Sequence, residues 1–109
     1  FWFAIATPGS YGILQTQVQA MVGHVDFGLD IQAAIEMPRA RLWDGKQIYL
    51  ERRVPHSVCV ELSARGHDVA LLPDYSWRTG GMQAVSRDPD SGALAGAADS
   101  RRDGAVIPA

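Results

Sequence analysis

The chain opens on an unbroken apolar run, Phe1-Trp2-Phe3-Ala4-Ile5-Ala6, closed by Thr7-Pro8-Gly9-Ser10. A short apolar run that stops at turn residues predicts a strand buried on both faces over residues 1–6, then a tight turn. Ser10 stands where a hydroxyl caps a helix. From Tyr11 to Phe27, Leu14, Val18, Met21, Val22 and Val25 recur at mostly three- and four-residue steps. That spacing predicts a helix with those side chains turned inward. Gln15, Gln17 and Gln19 lie mostly off that face, and Gly28 is a natural stop.

Asp30 is placed to cap a second helix over Ile31–Met37, which Pro38 ends. Arg41-Leu42-Trp43 and Gln47–Glu51 flank Asp44-Gly45, a hairpin signal. Pro55 suits the first turn of a third helix, Pro55–Arg65, ended by Gly66, with Val58, Leu62 and Cys59 as its inward candidates. Strands are predicted at Asp68–Leu72, Gly81–Arg87 and Ala93–Ala97, with a loop over 73–80. Asp88-Pro89-Asp90-Ser91-Gly92 reads as a turn in which Pro89 presets φ and Gly92 takes the left-handed position. Beyond Asp99 no periodic pattern remains. Helices and hairpins in succession make the class α+β, in one segment without linker or internal repeat.

Length and composition narrow the function more than the fold. The chain has 109 residues, one domain's worth, with 10 Lys and Arg against 12 Asp and Glu. A net charge of −2 argues against a nucleic-acid binder or a polybasic membrane-surface segment. No apolar run approaches the roughly 20 residues of a membrane span. The opening run has no basic leader and does not read as a signal peptide. A buried strand at the first residue instead suggests the tail of a longer protein. The single cysteine, Cys59, excludes an internal disulfide and any Cys-cluster metal site, and is compatible with either redox compartment.

Most candidate chemistry has a plainer reading beside it. His24, His56 and His67 match no metal-ligand spacing. Cys59, between Val58 and Val60, reads as a small buried hydrophobe rather than a nucleophile. Arg39, Arg41, Arg52, Arg53, Arg101 and Arg102 could hold a phosphate, but each has an acid nearby in sequence, so structural ion pairs are the simpler reading. Gly80-Gly81 could be a phosphate loop or merely a flexible turn. The exception is strand, Pro8-Gly9-Ser10, helix. A sharp turn into a helix leaves successive N–H groups unpaired where the helix dipole is positive, a setting for an anion or an oxyanion.

Several ordered blocks together resemble one family. They are Ala6-Thr7-Pro8-Gly9-Ser10-Tyr11-Gly12, Gln15-Thr16-Gln17-Val18-Gln19, Asp26-Phe27-Gly28-Leu29-Asp30 and Ala33-Ala34-Ile35-Glu36-Met37-Pro38-Arg39. Leu50-Glu51, Arg65-Gly66-His67-Asp68-Val69, Arg87-Asp88-Pro89-Asp90-Ser91-Gly92 and Gly96-Ala97-Ala98-Asp99-Ser100-Arg101-Arg102-Asp103-Gly104 follow in order. The pattern is similar to the γ-glutamyltranspeptidase (γ-glutamyltransferase) family, nearest its bacterial cephalosporin-acylase-like branch.

The resemblance implies part of an N-terminal-nucleophile hydrolase with an αββα sandwich, cleaved by itself into large and small subunits. It implies that residues 1–109 are the C-terminal part of the small subunit, incomplete without upstream residues. The partners implied are the remainder of the same enzyme and a γ-glutamyl small-molecule substrate of the glutathione type; no cofactor and no metal are implied. The nucleophilic Thr of such enzymes lies upstream of Phe1, so this chain alone is expected to be inactive. The family's Pro-Gly-Gly oxyanion turn corresponds to Pro8, Gly9 and Ser10, with Ser10 in place of the second Gly. A backbone N–H survives that change, and replacing Ser10 by Pro would delete it. The resemblance leaves periplasm and cytoplasm both open. A non-catalytic remnant, acting only as a structural or interaction module, is the alternative reading.

Overall fold

The computed structural model describes residues 2–108. Strand β1 runs Phe3–Ala6, helix α1 Gly12–Met21 and helix α2 Ile31–Glu36. Strands β2 (Ala40–Asp44) and β3 (Gln47–Glu51) precede helix α3 (His56–Ala64) and strand β4 (Asp68–Leu72). Strands β5 (Gln83–Arg87) and β6 (Leu94–Ala98) complete the chain. They form two three-stranded sheets, β1-β5-β6, antiparallel throughout, and β2-β3-β4. In the second sheet the β2–β3 hairpin is antiparallel, whereas β3 and β4 are parallel because α3 carries the chain across.

Helices α1 and α2 cover one face of the first sheet. Their core is Ala20, Ile31 and Ile35 against Met82 and Ala97, with Ile5 and Ala84 packed beside it. Asp30 Oδ1 accepts from Ala33 N at 2.9 Å, capping α2 as its sequence predicts. The Asp88–Gly92 turn also forms as expected. Asp88 Oδ1 accepts from the N–H groups of Asp90 and Ser91, and Gly92 has φ +74°. Those bonds hold the Asp88 carboxyl below the usual carboxylate range.

Three expectations need correction. The strand expected at 1–6 is shorter, Phe3–Ala6, and Phe1 lies outside the described residues. Its residues alternate between half-buried and exposed, and among the described residues it pairs only with β5, so it is an edge strand rather than one buried on both faces. The long helix ends at Met21 and widens into a π-turn over Val22–Asp26, with Phe27 N donating to Val22 O. A Cβ at Gly23 would lie 2.5 Å from Met37 Sδ and 3.5 Å from the Ala34 Cβ, so α2 and the methionine that follows it pack closely over this glycine.

Helix α1 is also turned the other way round. Leu14, Val18, Met21 and Val25 are exposed, and the buried positions are Gly12, Thr16 and Ala20. The glutamines explain the inversion. Gln15 donates to Leu42 O at 3.0 Å and accepts from Leu42 N at 2.8 Å. Gln19 does the same with Ala40, 2.8 Å each way. Two side-chain amides, four residues apart, thus serve the free edge of β2 as a neighbouring strand would. In α3, Val58 is exposed, Leu62 is half-buried and Cys59 is the buried residue.

Candidate functional site

Beyond β1 the chain enters Thr7, which is buried and joins two segments. Its Oγ1 accepts from Gly81 N at 3.1 Å and donates to Pro8 O at 3.1 Å. Gly80 is therefore a packing position, not a flexible phosphate loop: it has φ +101°, and a Cβ there would lie 2.6 Å from Thr7 Oγ1. Pro8-Gly9-Ser10 then turns sharply. Gly9 has φ +144°, and Ser10 at +53° is the only non-glycine with positive φ among the described residues. Ser10 does not cap α1, contrary to expectation. Tyr11 occupies the N-cap position without a side-chain bond. The left-handed backbone at Ser10 carries the chain into the helix instead.

Gly12 N donates to Gly9 O at 2.9 Å and Ile13 N to Ser10 O at 3.0 Å. The N–H groups of Gly9, Ser10 and Tyr11 donate to no acceptor among the described residues. They stand at the positive end of α1, where anions are favoured. A cavity of about 570 Å³ adjoins them, lined by Gly9, Ser10, Arg41, Trp43, Tyr49, Trp77 and Arg78.

Arg41 braces this turn from β2. Its Nη1 donates to Arg78 O at 2.6 Å and its Nη2 to Gly9 O at 3.3 Å. A Cβ at Gly12 would lie 2.9 Å from the Arg41 Cζ, so glycine is what lets the guanidinium in. Arg41 also lies 4.7 Å from the centre of the Trp43 ring. Trp43 and Tyr49 meet edge to face, with ring centres 6.3 Å apart. Cross-strand register explains part of the grouping: Arg41 pairs with Tyr49, and the register shifts between Leu42 and Asp44, leaving Trp43 as the unpaired residue of a bulge.

Below the turn lies a buried ionic cluster that joins the two sheets. Glu51, fully buried, accepts from Arg101 Nε and Nη2 at 2.6 Å each. It also accepts from Arg39 N, Ser76 N, Thr79 Oγ1 and Arg53 Nη2. Asp99 pairs with Arg39 at 2.7 Å and Arg101 at 3.0 Å, and accepts from Met82 N. Burial opposes charge on both carboxyls, but the hydrogen bonds and the arginines hold them below the usual carboxylate range. Burial opposes charge on Arg101 too, yet Glu51 and Asp99 leave it above its ordinary value. Burial and the like charge of Arg101 pull Arg39 down. Thr79 links the cluster to the turn, its carbonyl accepting from Thr16 Oγ1 and Arg39 Nη1.

The structure thus brings together Gly9, Ser10 and Arg41 of the residues singled out in the sequence. It assigns Arg39, Arg53 and Arg101 to ion pairs: Arg53 with its neighbour Glu51 and Arg101 with its neighbour Asp99, as expected, but Arg39 with the distant Asp99 and Arg101 also with the distant Glu51. Arg41, Arg52 and Arg102 have no such pair among the described residues. Asp99 and Arg101, in the stretch that shows no pattern, prove central to the interior. Trp43 and Tyr49 were legible only as strand residues, and Trp77 and Arg78 sit in a 3-10 turn within the expected loop. His24 Nδ1 lies 2.7 Å from Leu29 O, and the described residues contain no grouping of three or more potential metal ligands. Among the described residues no helix is long and apolar enough to cross a membrane.

Comparison with known proteins places this geometry in context. The Gamma-glutamyltranspeptidase family model matches residues 1–109. The Acylase ACY 1 proenzyme of Pseudomonas sp. (strain V22) is 40% identical over 106 residues, 96% of this chain and 18% of that protein. The Glutathione hydrolase proenzyme of Bacillus subtilis (strain 168) is 31% identical over 103 residues, 94% of this chain and 17% of that protein. The crystal structure of cephalosporin acylase from Bacillus halodurans superposes with a TM-score of 0.88 at 35% identity, over 94% of this chain and 19% of that one. The chain therefore spans under a fifth of the length of these relatives. Its α+β fold is that of a segment of an N-terminal-nucleophile hydrolase, as the sequence blocks implied.

Proposed function

Because the chain belongs to the gamma-glutamyltranspeptidase family, we propose that residues 1–109 form the C-terminal part of the small subunit of a self-cleaving enzyme that breaks γ-glutamyl amides through an acyl-enzyme. The rest of the enzyme, upstream of Phe1, brings the nucleophile, a threonine whose own α-amine takes its hydroxyl proton. The threonine oxygen bonds to the amide carbon, and the carbonyl electron pair moves onto oxygen. Gly9 and Ser10 N–H groups receive that oxyanion. Collapse expels the amine, which leaves with the proton, and water or a second amine then takes the acyl group from its ester.

One observation carries this reading: a turn whose N–H groups have no partner among the described residues stands at the rim of a cavity. A degenerate remnant has no need of either feature. Removing one oxyanion donor typically costs 10²–10³-fold in kcat, about 3–4 kcal/mol of barrier.

Proline at Ser10 is a poor probe, because φ +53° is closed to proline and the turn would break outright. Gly9→Ala is better. A Cβ there meets nothing nearer than Ile13 N at 4.0 Å, but φ +144° strains any L side chain, so the backbone must rotate and carry its N–H groups with it. In the full-length processed enzyme, Gly9→Ala should lower kcat on γ-glutamyl-4-nitroanilide roughly a hundredfold with little change in KM. Ser10→Gly, which relieves the left-handed strain and keeps the N–H, should retain turnover. Wild-type kcat in a processed, folded Gly9→Ala enzyme removes the oxyanion role.

A further inference from the structure

Each N–H of the turn shares a peptide group with the carbonyl of the preceding residue, and what that carbonyl accepts sets how strong a donor the N–H is. The Gly9 N–H shares its peptide with Pro8 O, which accepts from the uncharged Thr7 hydroxyl at 3.1 Å. The Ser10 N–H shares its peptide with Gly9 O, which accepts from Gly12 N at 2.9 Å and from Arg41 Nη2 at 3.3 Å. A bond accepted by a carbonyl draws electron density toward its oxygen and leaves the N–H of the same peptide a better donor. A cationic partner does this more strongly than a neutral one.

The guanidinium is held in place on three sides. Its Nη1 donates to Arg78 O at 2.6 Å, and its Cζ lies 4.7 Å from the centre of the Trp43 ring. Gly12 leaves open the space in which a Cβ would lie 2.9 Å from that carbon. A cation fixed at the back of one peptide needs no reorganisation when negative charge develops at its front.

We propose that Arg41 is a positioning residue for the reaction: through Gly9 O it fixes and polarises the peptide between Gly9 and Ser10, making the Ser10 N–H the stronger of the two oxyanion donors. The inference rests on the proposed amide cleavage and adds to it a cation that acts through the backbone without touching substrate. Each bond in such a chain strengthens the next by about 10–30%. For a donor worth about 10²–10³-fold in kcat, that share is roughly twofold to eightfold.

The test uses the full-length processed enzyme with γ-glutamyl-4-nitroanilide as donor. Arg41→Ala removes brace and charge together. It should lower kcat by at least roughly twofold to eightfold. KM should stay within about twofold of wild type, as for an interaction made in the transition state. Guanidinium and urea, added separately at millimolar concentration, then divide the two contributions. Both are planar and both donate N–H groups, but only guanidinium is charged. Extrapolated to saturation, kcat with guanidinium should exceed kcat with urea by roughly twofold to eightfold. Should Arg41→Ala fail to fold or process, Arg41→Lys and Arg41→Gln put the same question, one with charge and one without, and the lysine variant should turn over faster.

A second readout needs no turnover. With glycine labelled at its carbonyl carbon and serine at its nitrogen, NMR selects the Gly-Ser peptides, and Ser10→Gly identifies the one in the turn. The Gly9 carbonyl carbon should lie downfield in wild type relative to Arg41→Ala, and guanidinium should move it back further than urea does.

Unchanged kcat in a processed Arg41→Ala enzyme, equal rescue by urea, or a glutamine variant faster than the lysine variant overturns the proposal. So does a raised KM with kcat held, which makes Arg41 a substrate contact. A Gly9 carbonyl shift that follows the charge at position 41, in an enzyme that cleaves no γ-glutamyl amide, supports the polarised peptide and refutes the proposed reaction. A carbonyl that stays in place overturns the inference whatever the enzyme cleaves.

Discussion

Arg101→Met is the substitution whose cost the structure determines best. The guanidinium makes two 2.6 Å bonds to Glu51 and one of 3.0 Å to Asp99, and donates to the carbonyls of Ile35 and Met37. Both side chains of the Arg101–Glu51 pair are fully buried, so solvent screening gives no discount. Three charge-assisted bonds at roughly 1.5–3 kcal/mol each suggest a loss near 5–9 kcal/mol. That is too large, because Arg53 still reaches Glu51 and Arg39 still reaches Asp99. Measured losses on breaking one side of a buried pair, about 3–5 kcal/mol, are the better guide, since they include such rescue. Thermal and urea melts of the processed enzyme should show a loss of that size. Adding Glu51→Gln removes the stranded charge, so the double variant should be less destabilised than the two single losses added together, with a coupling of about 1–3 kcal/mol. A loss under about 1 kcal/mol for Arg101→Met, or strict additivity, refutes the view that the cluster acts as one buried ionic unit.

The same cluster sets an acid limit. The folded carboxyls of Glu51 and Asp99 lie below their ordinary values, so their stabilisation is complete above about pH 4–5 and is lost as pH falls through the folded values. Melting temperature should stay level from pH 7 to about 5 and then drop steeply below pH 4; a level profile down to pH 3 contradicts the assignment. Expressed alone, residues 1–109 should associate, because Leu14, Val18, Met21 and Val25 leave an apolar helix face uncovered and β1 offers a free edge. Sedimentation velocity showing a clean monomer, together with a cooperative melt, contradicts this.

What could be read in the sequence was local, and what could not was long-range. The Asp30 cap, the Gly45 hairpin and the Asp88–Gly92 turn are each fixed by residues within five positions, and all three form as expected. The orientation of α1 was not local. A stripe of Leu, Val and Met normally marks the buried face of a helix, and here it marks the exposed one. The periodicity was right, but its inference assumed that whatever covers the stripe lies within the chain. The chain spans under a fifth of the length of its relatives, and in such a segment an apolar face can be turned toward polypeptide that is elsewhere.

The ionic cluster failed to show for a related reason. Glu51 and Arg101 are separated by 50 residues, and neither carries a periodic signal. Their burial follows from how the two sheets meet, which no window of sequence contains. The turn was the meeting point of both kinds of information. Its location came from Pro8-Gly9-Ser10 between a strand and a helix, but its shape depends on distant supports. Thr7 is held by Gly81, and Gly9 O by Arg41 across 32 residues. If the proposed chemistry occurs here, its donors are fixed less by the three residues of the turn than by the β2 hairpin and the Gly80 crossing behind them. Disturbing either from a distance should loosen the site as surely as altering the turn itself.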